Sequence, residues 1–406
     1  MSETEIIIGG GGMVGLTLGI ALARRGLDVA IAAPAPKSAV LDTKFDGRVS
    51  ALAYASKRMM EALGVWEHLD QHAEPIRDIL VTDAALGGAP SPFSLHFDSR
   101  EIGMPMGHIV ENRHIRSALY DVADTLPNLR LISPCGVTTL KRTGATIEAT
   151  LSNGNSVRAK LAVAADGRVS RMRDAMEIGV VGWSYPQMGL VATVEHEKPH
   201  NGVAYEHFLP SGPFAILPMK ENRSSLVWTE REDLAPAMMK LPDTEFDAEI
   251  RSRFGTHLGK TRATGPRWSY PLKFHLARRY VRDRFALAGD AAHGIHPIAG
   301  QGLNLGLKDA AALVETVLDA ARLGLDFGTI DVLTRYERWR RFDSFALAAA
   351  TDALNRLFSN DIAPLRAIRD LGLGIVDRIG PARRFFMRHA GGEIGKLPRL
   401  MRGEAA

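Results

Sequence analysis

The 406-residue sequence contains one cysteine, Cys135. A single thiol closes no intrachain disulfide and builds no multi-cysteine zinc or iron–sulfur site, so the chain reads as a protein of a reducing compartment. An excess of charge of one sign is also missing. Fifty Lys and Arg against 46 Asp and Glu leave +4 at neutral pH, too little for a nucleic-acid partner unless it is concentrated. Long apolar runs are absent too: Arg24–Arg25, Asp343 and Asp352 interrupt the longest ones before the ~20 residues of a membrane span. The opening Met-Ser-Glu-Thr-Glu is acidic, so no targeting peptide is expected and the expected location is cytoplasmic. What remains is an ordinary globular composition, 46% hydrophobic and 24% charged, at a length that suggests about two to three domains.

Glycine is where the sequence becomes specific. Ile6-Ile7-Ile8, a buried-strand pattern, runs into Gly9-Gly10-Gly11-Gly12-Met13-Val14-Gly15. A helix over Leu16 to Arg25 and a strand over Val29 to Ala32 follow. Strand, glycine turn, helix and strand are the context that a G-x-G-x-x-G of Gly10, Gly12 and Gly15 needs to bind a dinucleotide. Gly10 allows the tight turn, Gly12 the approach of a pyrophosphate, and Gly15 close helix–strand packing, with the helix N-terminus meeting the anion. The acid expected for a ribose hydroxyl is missing, because the second strand ends at Ala33-Pro34. Recognition of the adenosine ribose must therefore fall to another group or be weaker.

A second glycine-rich segment lies 275 residues further on. Arg284 to Ala288 reads as a strand, then Gly289-Asp290-Ala291-Ala292-His293, then the loop His296-Pro297-Ile298-Ala299-Gly300-Gln301-Gly302-Leu303-Asn304 and a helix over Leu307 to Leu323. Its backbone N–H groups suit an anionic ligand, and Asp290 suits sugar-like hydroxyls. His293 and His296 lack a third ligand, so no metal site is read there. Between the two segments, Val163-Ala164-Ala165-Asp166-Gly167 followed by Ser170 reads as strand, turn and capped helix.

Three such segments in this order resemble the group A FAD-dependent monooxygenases, which have the p-hydroxybenzoate hydroxylase-like fold. Gly10, Gly12, Met13, Val14 and Gly15 match the first FAD motif, Asp166-Gly167 the Asp-Gly motif, and Gly289 to His293 the second FAD motif. His296 to Asp309 (HPIAGQGLNLGLKD) resembles the signature of the ubiquinone-biosynthesis hydroxylases. The resemblance runs nearly end to end and departs from the family at Ala33. It implies an α/β fold: a Rossmann-like FAD-binding domain, an inserted antiparallel-sheet substrate domain and a C-terminal helical region. The expected bounds are 1–65, 107–180 and 280–325 for FAD, 66–106 and 181–279 for substrate, and 326–406 for the helical region.

The resemblance further implies that Arg48 and Arg113 contact FAD, whose phosphate or carbonyl oxygens suit planar guanidinium forks. Arg116, one turn beyond, has no such support. Asp290 would bind the ribityl chain and Pro297 would lie beside the reactive ring edge. Gly300, Gln301, Gly302, Leu303 and Asn304 would offer N–H groups to the pyrimidine end. The implied reaction inserts one oxygen atom from O2 into a polyprenylated phenol of ubiquinone biosynthesis by way of a flavin hydroperoxide. Electrons would come from NAD(P)H or a partner reductase, since no second G-x-G-x-x-G is present.

Phe208, Phe214 and Leu217 are expected to shape the apolar cavity, and His293, His296 and Tyr205 are candidate bases with none singled out. Asp331 to Phe358 reads as a helix with Tyr336, Trp339, Phe342 and Phe345 mostly in the core. Beyond Pro364 basic residues gather, among them Arg383, Lys396, Arg399 and Arg402. Two readings stay open for that tail: contact with the inner face of a membrane or a ubiquinone-biosynthesis complex, or packing on the body. Two alternative functions also stand beside the first: an FAD monooxygenase or reductase with another substrate, and a non-catalytic prenyl-lipid carrier.

Overall fold

The computed structural model describes residues 2–83, 94–296, 300–358, 380, 383–384, 387–388, 391–393 and 395–405. In chain order the elements that matter are β1 (Ile6–Gly9), α1 (Met13–Ala23), β2 (Val29–Ala32), β3 (Val49–Ala53), β4 (Asp78–Asp83), β5 (Ser94–Asp98), β6 (Gly107–Glu111), α2 (Asn112–Asp124), β7 (Leu129–Ile132) and β8 (Leu161–Ala164). They continue with β9 (Val180–His196), β10 (Val203–Leu209), β11 (Gly212–Met219), β12 (Arg223–Arg231), α3 (Asp243–Phe254), β13 (Thr261–Ala277), β14 (Val281–Arg282), β15 (Phe285–Leu287), β16 (His293–Gly294), α4 (Gln301–Arg322) and α5 (Ile330–Phe358).

Strands β14-β15-β8-β1-β2-β7 form a six-stranded sheet, parallel except for the β14–β15 edge. Its central strands are uninterrupted runs of Ile, Val and Ala because helices cover the sheet and no face needs polar side chains. α1, α4 and Tyr336 of α5 complete that core. All three strand-turn segments recognised in the sequence, β1, β8 and β15, are hydrogen-bonded neighbours, so their C-terminal ends converge on one edge. In open α/β sheets ligands bind at such an edge.

A second sheet of eight strands, ordered β16-β13-β9-β12-β11-β10-β4-β5, stands beside the first. It departs from the purely antiparallel expectation at one place, since β10 pairs with β4 in parallel. Alternation sorts its side chains between two faces. One carries Leu190, Leu226, Phe214, Ile216 and Trp228, buried against Phe246 and Ile250 of α3. The other carries Leu95, Phe97, Ala204, Phe208 and Leu217, packed on Ile76, Met106 and Ile109 and on Val49 and Ala51 of β3.

Two expectations are corrected at the helices. α4 begins at Gln301, six residues before the expected Leu307, because Gly302 and Gly306 are helical residues rather than loop punctuation. A Cβ on Gly306 would lie 2.7 Å from Val14 and 3.2 Å from the Gly289 Cα, so that glycine permits close packing. On α5, Tyr336 is fully buried, but Phe342 and Phe345 are 73% and 59% exposed. The three-residue spacing carries them past the buried stripe, which continues through Arg340, Ser344 and Ala348. Several basic residues of the C-terminal stretch are engaged by the body: Arg383 with Glu101 (2.7 Å), Arg399 with Asp319 (2.9 Å), and Lys396 over the Trp339 ring.

Candidate FAD and substrate site

The first glycine turn is built by close approaches. Gly10 has φ +113°, a conformation that favours glycine, and a Cβ there would collide with the Ala165 carbonyl next to Asp166. A Cβ on Gly15 would collide with the Gly10 carbonyl oxygen. Gly12 caps α1 in an extended conformation, and a Cβ there would meet nothing within 4 Å. Val14 reaches across to Gly289 and Gly306, so the first and second motifs are in contact.

The second motif is anchored from below by Asp309 of α4. Its carboxylate accepts from Gly289 N (2.9 Å), His293 Nε2 (2.5 Å) and Arg340 Nε (2.7 Å). Asp309, His293 and Arg340 are all buried. Burial pushes the Asp309 carboxyl up, but His293 and Arg340 outweigh it and hold it below the usual carboxylate range. Arg340 also donates to Asp343 (2.8 Å), which pairs with Lys308 (2.7 Å). His293 is thus an internal brace rather than a base facing substrate.

Above this brace, the Asp290 side chain is exposed and makes no hydrogen bond within the described protein. Gly300 adopts a left-handed conformation (φ 61°) that turns the chain into α4, whose first-turn N–H groups have no partner four residues earlier within the helix. A Cβ on Gly302 would meet open space. The Asn304 side chain does a different job from the one implied for its backbone. Its Oδ1 accepts from Ala53 N (2.9 Å) and Ser56 Oγ (2.8 Å), and its Nδ2 donates to Ala51 O (2.8 Å), fastening β3 to α4. Replacing Asn304 with alanine orphans buried groups on β3 and should cost about 1–3 kcal/mol in urea denaturation.

The remaining predicted residues are each held by neighbouring groups. Asp166 Oδ2 accepts from Met172 N (3.2 Å), while its Oδ1 is buried without a partner and burial raises its pKa. Ser170 caps the following helix at Arg173 N (3.0 Å). Arg48 pairs with Asp46 (2.7 Å) and stacks on Trp268, whose Nε1 donates to Asp46 O (2.6 Å). Arg113 donates to Glu111 (2.7 Å) and Thr43 O (2.6 Å). Arg116, given no role from sequence, approaches Asp46 (3.5 Å) and leaves its buried Nε unpaired. Pro297 lies outside the described residues.

The expected cavity set is corrected by alternation. Phe208 and Leu217 share the face toward β3, whereas Phe214 points to the opposite face against Trp228 and α3. Leu217 and Phe214 are three residues apart on one strand and so cannot line one wall. Tyr205 shares the Phe214 side, against His257. His296 is buried, edge-on to Tyr185, and burial lowers its pKa to about 4, so it is neutral. The sequence assigns no role to Asp309, although it closes the HPIAGQGLNLGLKD segment, nor to Arg340 and Glu206, which carry no motif.

Converging strand ends, a glycine turn open at Gly12, a free Asp290 carboxylate and the orphaned Asp166 Oδ1 fit a dinucleotide cofactor lying between the two sheets. That is the architecture of a flavin-dependent monooxygenase. The FAD binding domain family matches residues 3–338. The chain is 51% identical over 403 residues to a ubiquinone hydroxylase of Rhodospirillum rubrum, covering 98% of this chain and 92% of the relative. It is 35% identical to the 3-demethoxyubiquinol 3-hydroxylase of Escherichia coli, covering 95% of this chain and 98% of that one. In fold it is similar to the p-nitrophenol 4-monooxygenase of Pseudomonas putida, with a TM-score of 0.80 at 19% identity, covering 98% of this chain and 100% of that one. The chain belongs to the ubiquinone-biosynthesis hydroxylases within the FAD-binding monooxygenases.

Proposed function

We propose that the protein is an FAD-dependent aromatic hydroxylase that inserts one atom of O2 into a polyprenylated phenol during ubiquinone biosynthesis. The observation that carries this reading is the convergence of three FAD motifs on one sheet edge in a chain similar end to end to a ubiquinone hydroxylase. FAD, when bound, supplies the two-electron chemistry that activates O2, with NAD(P)H or a partner reductase as the electron source.

Gly10, Gly12, Met13, Val14 and Gly15 would hold the pyrophosphate at the α1 N-terminus. Arg48, Arg113 and Asp166 would border the cofactor, and Asp290 would take the ribityl hydroxyls. Gly300 to Asn304 would present N–H groups to the flavin pyrimidine, where donors favour negative charge. Residues 1–65, 107–180 and 280–325 would form the cofactor body, and 66–106 with 181–279 the substrate sheet. Phe208, Leu217, Ala215 and Val227 would keep water from the reacting ring.

Among the described residues no helix is long and apolar enough to cross a membrane. A polyprenyl substrate nevertheless resides in lipid. Exposed Phe342 and Phe345 beside exposed Arg338 and Arg341 on α5 support contact with an anionic bilayer surface.

The test is reconstitution with FAD, followed by mass spectrometry of prenylated phenols incubated with NAD(P)H, a general flavoprotein reductase and 18O2. The expected product carries one labelled oxygen. A yellow protein that hydroxylates simple phenolic acids and no prenylated phenol would move it to the alternative substrate class. A protein that takes up no FAD would be a lipid carrier.

A further inference from the structure

Among the described side chains, the sheet face toward β3 carries one carboxylate that no other feature of the fold explains. Glu206 lies on β10 between Ala204 and Phe208, both members of the cluster packed on β3 and β6. Its sequence neighbours Tyr205 and His207 point to the other face. Across the sheet its row is apolar: Val81 on β4, then Ala215 on β11, Val227 on β12 and Val191 on β9. The same row ends at Trp268 on β13, on which Arg48 stacks. Glu206 therefore stands on a strip that leads to the candidate flavin arginine. The facing wall includes Ala51, which a Cβ on Gly300 would approach to 3.2 Å.

Two further observations separate this carboxylate from an ordinary surface acid. No hydrogen bond or ion pair engages it among the described residues. It also lies deep among protein atoms and yet keeps solvent-accessible surface. Arg223, on the same face, pairs with Glu111 (3.4 Å), and Arg48 pairs with Asp46. Burial is the sole influence on the Glu206 carboxyl, and it pushes the pKa up to about 7.

We propose that Glu206 is the proton acceptor for the phenolic hydroxyl of the aromatic substrate, a catalytic residue on the face of the large sheet toward β3. This rests on the substrate class proposed above. A carboxylate without a partner in an apolar row is costly unless a ligand supplies the missing donor, and a phenol O–H is such a donor. As an electrophilic oxygen adds to the ring, the phenol O–H becomes far more acidic. That bond breaks, its electron pair stays on oxygen and enriches the ring, and the proton bonds to a Glu206 oxygen. Glu206 returns it to solvent when product leaves. A base that titrates near neutrality is well matched to this task.

The test is Glu206→Gln in the full chain loaded with FAD. A carboxyl whose pKa rises on folding stabilises the fold less as pH climbs from 4.5 to about 7, so the glutamine variant should fold at least as stably at pH 8. Equilibrium titration at pH 8, read by flavin fluorescence, compares a short-chain prenylated phenol with its O-methyl ether. Wild type should prefer the phenol by about tenfold or more, as a hydrogen bond to a charged group gives, and E206Q should lose that preference. In turnover, kcat/KM of wild type should rise with pH to a plateau with a midpoint near 7. In E206Q the profile should be flat on that limb and the rate about 10²–10⁴ lower.

A preference for the phenol that survives in E206Q overturns the proposal, as does a persistent limb. A wild-type profile flat through neutrality overturns it without any variant. If wild type hydroxylates no prenylated phenol, the substrate reading fails on its own, and the binding comparison still decides the role of Glu206.

Discussion

Replacing Asp309 with alanine is expected to lower stability by about 3–5 kcal/mol and to yield protein without yellow flavin absorbance. Asp309 is fully buried and is the only acid that His293 and Gly289 share. Removing it leaves Arg340, also fully buried, with Asp343 alone, while one of its nitrogens already lacks a partner. An uncompensated guanidinium in the core dominates the cost. The loss of flavin follows from position, since Asp309 holds the Gly289 amide directly beneath Asp290. The pH dependence has a definite sign. His293 and Arg340 hold the Asp309 pKa below its unfolded value, so its contribution is complete above the usual carboxylate range and is lost as pH falls through the lowered value. Urea denaturation at neutral and acid pH, with absorbance near 450 nm on the purified variant, measures both effects. The difference between wild type and D309A should shrink as the pH is lowered.

How much of this was readable in the sequence depends on the range of the interaction. The glycine turn at Gly10 to Gly15, the Asp166 turn with its Ser170 cap and the strand before Gly289 are local patterns, and each appears where periodicity and turn chemistry placed it. The close packing of α4 was not local. Gly306 looks like a loop residue until Val14, about 290 positions earlier, is seen to press on it. Asp309 and Arg340 lie 31 residues apart on different helices, and nothing in either neighbourhood announces a buried pair. Phe214 cannot share a wall with Phe208 and Leu217, because the hairpin pairing of Phe208 with Pro213 and two-residue alternation put it on the opposite face. The same parity marks Glu206 as a carboxylate in an otherwise apolar row of Val81, Ala215, Val227 and Val191. Phe342 and Phe345 were misread because spacing shows which residues share a stripe, not which stripe is covered.

Two glycines of the first motif should respond to alanine in opposite ways, and the contrast separates folding from cofactor binding. In Gly15→Ala the new Cβ collides with the Gly10 carbonyl oxygen and sits 3.2 Å from the Gly10 carbonyl carbon, so backbone atoms must move. β1 and α1 are both buried in the largest core, which leaves no cheap direction for that movement. A cost of about 1–3 kcal/mol or more is expected, together with loss of FAD. In Gly12→Ala the backbone already has φ −78° and ψ 178°, values open to any residue, and the new methyl meets no atom within 4 Å. The apoprotein should therefore unfold within about 0.5 kcal/mol of wild type. The same methyl stands where a pyrophosphate must approach the α1 N-terminus, so FAD affinity should fall at least tenfold. Urea denaturation of the two apoproteins and FAD titration by flavin fluorescence check the pair. A Gly12→Ala protein that binds FAD as wild type does would mean that the open space at Gly12 is not the pyrophosphate site. In that case the cofactor would have to enter the fold by another face.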